Sequence, residues 1–261
     1  MNKTCETSSA SFGTTNAVFI GRSLRLSLRN VEALLMSVIL PVMLMLLFTY
    51  VFGGAIDPTG NYVNYVVPGI ILLCAGFGSS SAAVDVATDM TNGIIDRFRT
   101  MPIHSLSVVT GHVVSSLARN LAATAIVIGV AFLVGFRSSA GAVEWLAALG
   151  VIVLFILAIT WLYAAIGLVA GSPSAASGYG FALLFLPYLS SAFVSTDTMP
   201  EWLRVVADHQ PITPIIETIR GLLTGTSIGN SAWFAVGWCA LIIVVSIVWC
   251  SVAFRRRAGR R

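Results

Sequence analysis

Few residues in this 261-residue chain are of types that do chemistry, and their spacing excludes most of it. His104 and His112 stand eight apart, too far along a straight helix to share one zinc ion, and His209 is remote from both. All three read as surface histidines. Cys74, Cys239 and Cys250 fall in apolar runs, where a thiol behaves as a small apolar group. Cys239 and Cys250 share a helix face but are about 16 Å apart along it, beyond disulfide reach. Cys5 lies in a polar, Ser/Thr-rich tail. Serines are plentiful, yet none stands at a strand-to-helix elbow of the kind Ser/His/Asp catalysis uses. There is no G-x-x-x-x-G-K-[ST] phosphate loop, and the one lysine is Lys3, so the chain does not bind ATP by that route.

The charged residues that remain are clustered. "GIIDRFRTMP", residues 93–102, places Asp96, Arg97 and Arg99 among Ile94, Ile95, Phe98 and Met101 at helical spacing, and Pro102 ends the helix. Asp85 and Asp89 precede it by one to three turns, and a second helix through Gly111 and His112 to Arg119 follows. Four to six residues would suffice for a connector. The length and the exposed charges describe either a knob that binds another polypeptide or a hairpin folded against its own subunit.

The elements that must position this cluster are membrane spans. The chain is 57% hydrophobic and only 10% charged, with a mean hydropathy of +0.89, against about a quarter charged in a soluble domain. No Asp, Glu, Lys or Arg occurs between Glu32 and Asp57, Asp57 and Asp85, Arg119 and Arg137, Glu144 and Asp197, or Arg220 and Arg255. A crossing helix needs about 20 apolar residues. The longest interval holds two, divided by the turn formers Gly171-Ser172-Pro173-Ser174. Six helical spans are expected at 33–53, 65–84, 119–136, 146–170, 175–194 and 232–253, since lipid offers the backbone no hydrogen-bonding partner. The first apolar run is too long, and begins too late, for a cleaved signal peptide.

With six spans, one set of segments carries Lys3, Arg22, Arg25, Arg29, Arg97, Arg99, Arg119 and the five arginines from Arg255 to Arg261; the other carries Arg137, Arg204 and Arg220. Twelve positive residues against three put both termini and the 85–118 loop in the cytoplasm. The chain divides into a disordered tail (1–16), an interfacial helix (17–31), a six-span domain (32–254) and a basic tail (255–261). In the interfacial helix Ile20, Leu24, Leu28 and Val31 form one stripe and Arg22, Arg25 and Arg29 the other, which suits either a positive-inside anchor or a docking surface. Residues 195–231 read as two short amphipathic helices dipping into the outer leaflet, the second with Ile215, Ile216, Ile219, Leu222 and Leu223 on one stripe, Glu217 and Arg220 off it, and Gly225 at its end. No acid or base is expected mid-span, which removes the usual proton or sodium relay of a secondary transporter. Such a chain calls for an energy source on a separate polypeptide.

"GIIDRFRTMPIHSLSVVTGH" (93–112) and "HQPITPIIETIRGLL" (209–223) resemble the corresponding segments of ABC exporter permeases of the daunorubicin-resistance type, within the ABC-type-2 membrane family. The resemblance covers the whole layout of the chain, although the relatives' acid-rich stretch before the loop glycine is reduced here to Asp89 and Gly93 in "TDMTNG". It implies a permease that dimerises with a second permease copy and is driven by separate cytoplasmic ATPase subunits. ATP and Mg would be used by the partner, with no cofactor on this chain and no nucleic acid involved. It implies that Asp96, Arg97, Phe98, Arg99 and Pro102 form the coupling helix in the ATPase cleft, with the 18–31 helix nearby. It also implies that the second and fifth spans flank the pathway, where Phe181, Phe185 and Tyr188 share one face of the fifth span and Pro187 kinks it. Those rings fit a cargo wall or plain helix packing. The expected activity is export of hydrophobic drug-like molecules or lipids from a prokaryotic cell by alternating access. A glycan or lipid-linked polymer as cargo, and a stand-alone membrane enzyme or scaffold, are the alternatives.

Overall fold

Charge-free sequence becomes long helix almost throughout. The computed structural model describes residues 31–92 and 105–258. Helix α1 (Val31–Leu46) continues through a π-helical turn (Leu47–Phe52) and a last turn (Gly53–Ile56). A tight turn follows, in which Asp57 Oδ1 accepts from the Thr59 amide at 3.0 Å and its hydroxyl at 2.6 Å; these bonds hold the Asp57 carboxyl below the usual carboxylate range. Next come α2 (Tyr62–Thr91), α3 (Ser105–Val134), α4 (Ala142–Val169), α5 (Pro173–Leu183), α6 (Glu201–His209), α7 (Ile212–Thr224) and α8 (Ser231–Ala258). Among the described residues five segments are long and apolar enough to cross a membrane: Leu34–Ile56, Tyr62–Thr91, Val109–Val134, Ala142–Val169 and Ser231–Phe254.

Helix α2 is the central post, with Ile70, Ile71, Leu72, Leu73 and Cys74 fully buried. Helix α1 runs antiparallel to it, since Ser37 meets Cys74 while Gly53 meets Tyr62. So does α3, with His112 at Asp89 and Arg137 at Asn64. Helix α4 runs parallel to α2, and Gly167 lets the two touch: a Cβ there would run into the Ala83 carbonyl. The far end of α8 joins Val86, Val109, Ala165 and Leu168 through Cys250 and Phe254.

The expected fifth span, 175–194, is not one helix. Helix α5 stops at Leu183 after 11 residues, a 3₁₀ turn covers Leu186–Leu189, and further turns follow through Phe193. Two glycines, Gly178 and Gly180, weaken the helix by about 1 kcal/mol each, and Pro187 has no amide to continue it. The segment nonetheless runs antiparallel along α2. Gly180 lies by Ser80, Leu184 by Gly76, Ala192 by Gly69 and Phe193 by Tyr62. Eighteen residues of α2 correspond to about 27 Å, which thirteen residues of the broken segment cover at about 2.1 Å each, close to a 3₁₀ rise.

Residues 85–91 and 105–118, the described flanks of the expected hairpin, are the helical ends of α2 and α3. Of the two outer helices, only α6 lies on the surface, with Trp202, Val205 and Val206 exposed. Helix α7 is wedged among α2, α4 and α8 with Ile215, Ile216, Ile219 and Leu223 fully buried, and Gly225 closes it in the left-handed region (φ 75°).

Candidate functional site: an aromatic row beside a broken helix

The broken segment leaves backbone groups that helical bonding does not satisfy, and irregular backbone at membrane depth survives only when protein supplies partners. Side chains supply them here. Tyr163 donates to the Gly180 carbonyl (3.2 Å), Gln210 to Leu189 (2.6 Å), Tyr65 to Ser191 (3.0 Å) and Tyr62 to Phe193 (2.8 Å). The strongest donor is Arg220. Buried in α7, it donates from Nη2 to the Ser191 carbonyl at 2.7 Å, from Nε and Nη2 to the Tyr65 carbonyl at 3.2 Å, and from Nη1 to Glu217 at 2.6 Å. Its guanidinium also lies 3.8 Å from the centre of the Tyr65 ring. Its position off the apolar stripe was legible; its carbonyl partners, up to 155 residues away in sequence, were not.

Pinned this way, the segment turns its rings outward. Phe181 packs edge-on to Phe185 (5.2 Å between centroids), Phe185 lies 6.3 Å from Tyr188, and Tyr188 stacks on Phe193 at 5.3 Å. The three expected wall residues are therefore brought together, although Tyr188 belongs to the 3₁₀ turn and not to a helix face. Phe193 then stacks on Phe48 of α1 at 4.2 Å, and Phe48 contacts Phe52 at 5.6 Å. Phe181, Phe185 and Phe52 keep 59%, 53% and 44% of their surface exposed, so the row offers ring faces to whatever lies beside it. At its Phe181 end is a recess of about 230 Å³, lined by Phe77, Ser80, Ser81, Val84, Ser177 and Leu184.

Behind that recess the helices are held by polar contacts. Asn120 donates to Ser79 at 2.9 Å, Ser79 and Thr160 hydroxyls meet at 3.0 Å, and Arg119 donates to Ser81 with Asp85 3.9 Å away. Arg119 corrects the expectation of charge-free spans. It lies fourteen residues into α3, within a segment apolar enough to cross, and it is buried, because the helix starts well before the last charge and the guanidinium reaches towards the Asp85 carboxylate. His112 is likewise no free surface histidine: its Nε2 lies 2.9 Å from Asp89 Oδ2 and ties α3 to α2. His209 is exposed, with Nδ1 2.8 Å from the Val205 carbonyl. Cys74, Cys239 and Cys250 are buried and free. Ser227, between Gly225 and Gly229, joins two helices and makes no nucleophile elbow. Among the described residues no group of three His, Cys, Asp or Glu side chains could hold a metal ion. Asp96, Arg97, Phe98, Arg99, Pro102 and His104, Arg22, Arg25 and Arg29 of the expected interfacial helix, and Cys5 lie outside the described residues.

These features define a multi-span α-helical membrane protein in which a broken segment is bonded by side chains of its neighbours. The chain belongs to the ABC-2 type transporter family, whose model matches residues 16–224. It is 31% identical over 192 residues to the daunorubicin resistance ABC transporter permease protein DrrB1 of Streptomyces coeruleorubidus, a match covering 73% of this chain and 68% of the relative. It is 25% identical over 224 residues to the "Probable doxorubicin resistance ABC transporter permease protein DrrC" of Mycobacterium tuberculosis, covering 84% and 80%. In this family ATP hydrolysis belongs to a separate ATPase subunit.

Proposed function

We propose that this chain is the permease subunit of an exporter that moves hydrophobic, drug-like molecules out of a prokaryotic cell, taking its energy from cytoplasmic ATPase subunits and working beside a second permease copy. The row of exposed rings along the broken segment, Phe181, Phe185 and Tyr188, is the observation that carries the cargo assignment, and both relatives are named for resistance to drugs. The segment 173–194 serves as the sixth crossing. Its 27 Å run along α2 supports this reading, as does the return of α8 to the end where α2 finishes. Both termini then face the cytoplasm, on the side that carries twelve of fifteen cationic residues.

Asp96, Arg97, Phe98, Arg99 and Pro102 dock the ATPase, with Arg22, Arg25 and Arg29 beside them. ATP binding moves the hairpin, and α2 and α3, continuous with it and joined at Asp89–His112, carry that movement into the spans. Only contacts that differ between the two states can drive such a change. Phe181, Phe185 and Tyr188 face the cargo.

The test is co-purification of the chain with the ATPase encoded beside it, followed by ATP-dependent drug accumulation in inside-out vesicles. The double substitution Arg97→Glu, Arg99→Glu is expected to leave membrane insertion intact while ATPase co-purification and accumulation are lost. Normal association in that variant refutes the docking assignment; wild-type vesicles that accumulate no drug refute the exporter reading.

A further inference from the structure

Helix α2 is held in different ways by its two long neighbours. Towards α4, Gly167 meets the Ala83 backbone, and the Ser79 and Thr160 hydroxyls find each other at 3.0 Å. Towards α3 the contact is polar along its length. His112 meets Asp89, Arg119 donates to Ser81, Asn120 donates to Ser79, and the Thr124 hydroxyl adjoins the Cys74 thiol. From His112 to Thr124 this stripe runs about 18 Å down α3.

The stripe is not fully bonded. Seven buried side-chain oxygens have no hydrogen-bond partner among the described residues, and three of them, Ser116 Oγ, Asn120 Oδ1 and Thr124 Oγ1, stand four residues apart on it. Their residues are 1%, 0% and 2% exposed. Native structures leave few buried polar groups unpaired, because each forfeits the water it had when unfolded. Three in succession at one helix contact describe a surface whose bonding is completed in another arrangement of the same helices. Gly78 presents bare backbone to Asn120, so no side chain interlocks α2 with α3 at that level. The seam is also placed to be worked from the cytoplasm. Helix α2 ends at Thr91 and α3 begins at Ser105, so a shift of the connection between them moves one helix against the other.

We infer that the α2–α3 contact is a shear joint, closed in the arrangement described here, that opens to water when the ATPase closes on ATP and hydrates Ser116, Asn120 and Thr124. Water on those three oxygens is the differential interaction that favours the second state. The inference rests on the exporter reading above and adds the interface that moves and the residues that bias it. Cys74, fully buried beside Thr124, is its reporter.

The experiment uses the permease with its own ATPase, carrying Cys5→Ser, Cys239→Ala and Cys250→Ala so that Cys74 is the one thiol. It is reacted with 2-aminoethyl methanethiosulfonate, a charged reagent that needs a hydrated thiolate, first without nucleotide and then after trapping with ATP and vanadate. Trapping is expected to speed modification of Cys74 by at least about 10-fold. A companion protein that keeps only Cys239, fully buried on α8, is expected to stay slow in both conditions. Ser116→Ala removes one oxygen to be hydrated about 12 Å along α3 from Thr124, clear of the reporter. It is expected to lower the trapped-state rate by about 3- to 10-fold, and ATP-driven drug accumulation with it, while the nucleotide-free rate is unchanged. A Cys74 rate that is equal in the two conditions, or that falls on trapping, overturns the joint. So does Cys239 speeding up equally, which would mean general loosening, or a Ser116→Ala protein with a normal trapped-state rate. If the complex still accumulates drug in those cases, the exporter reading stands; a complex that neither hydrolyses ATP nor moves drug overturns both.

Discussion

Replacing Arg220 with alanine should do more damage than any other single surface-end substitution. The side chain is 7% exposed and makes four donor contacts, two to Tyr65 and one each to Ser191 and Glu217. Hydrogen bonds from a charged donor contribute about 1.5–3 kcal/mol, and the guanidinium over the Tyr65 ring about 0.5–2 kcal/mol. Glu217 is 37% exposed, so its carboxylate recovers water and adds less than about 1 kcal/mol. The Ser191 carbonyl keeps the Tyr65 hydroxyl as a donor, which limits the damage there. The loss should centre near 3 kcal/mol, or about 6–12 °C in midpoint for a chain of this size. The buried thiols Cys74, Cys239 and Cys250 provide the assay: a thiol-reactive dye reports their exposure on heating the purified protein in detergent. Arg204→Ala is the control, since Arg204 is 49% exposed and its pairs with Asp197 and Asp208 should contribute less than about 1 kcal/mol. A midpoint for Arg220→Ala within about 2 °C of wild type would show that the carbonyl contacts do not hold the segment.

Three other outcomes follow from described contacts. Gly167→Ala should destabilise the fold by several degrees in the same assay, because the added methyl meets the Ala83 backbone, whereas Gly129→Ala, with open space around it, should be neutral or slightly stabilising. A double-mutant cycle of Asp89→Asn and His112→Ala should return a coupling of about 0.5–1.5 kcal/mol, the worth of one hydrogen bond; additive effects would mean the 2.9 Å contact contributes nothing. Tyr188→Ala should change the relative transport of several drugs while dimer and ATPase assembly stay normal, and an unchanged profile would reduce its stack on Phe193 to packing.

Much of this architecture is legible in the spacing of charges. Apolar stretches this long in so uncharged a chain point to spans, and five of the six expected spans fall on the five long apolar helices, the third of which starts ten residues before Arg119. Arg119 shows where the method stops. The last charge was taken as the membrane edge, but a guanidinium that finds Ser81 and Asp85 is carried inside the helix, and only tertiary partners reveal it. Arg220 fails for the same reason: a charge off an apolar stripe implies water, unless three-dimensional neighbours offer carbonyls. The break after Leu183 had visible causes in Gly178, Gly180 and Pro187, yet an apolar count over 175–194 is blind to them. Half of the aromatic row was readable from helical spacing. Phe193 joins it past the 3₁₀ turn, and Phe48 and Phe52 only because the broken segment lies alongside α1.

The dependence of residues 180–193 on borrowed donors also sets an order of assembly. A ribosome feeding this chain into a bilayer delivers the segment before Gln210 and Arg220 exist, so its carbonyls at Leu189 and Ser191 emerge without two of their bonding groups. Hydrocarbon does not tolerate that state. The segment should therefore wait at the insertion machinery, or stay on the near side, until α7 has been synthesised and can reach it. Chains stopped after His209 are expected to leave a glycosylation tag at residue 196 untranslocated, while chains stopped after Gly225 expose it. Insertion would then be post-dated for this one crossing, and errors in α7 would surface as misthreaded protein and not as a weakened pump.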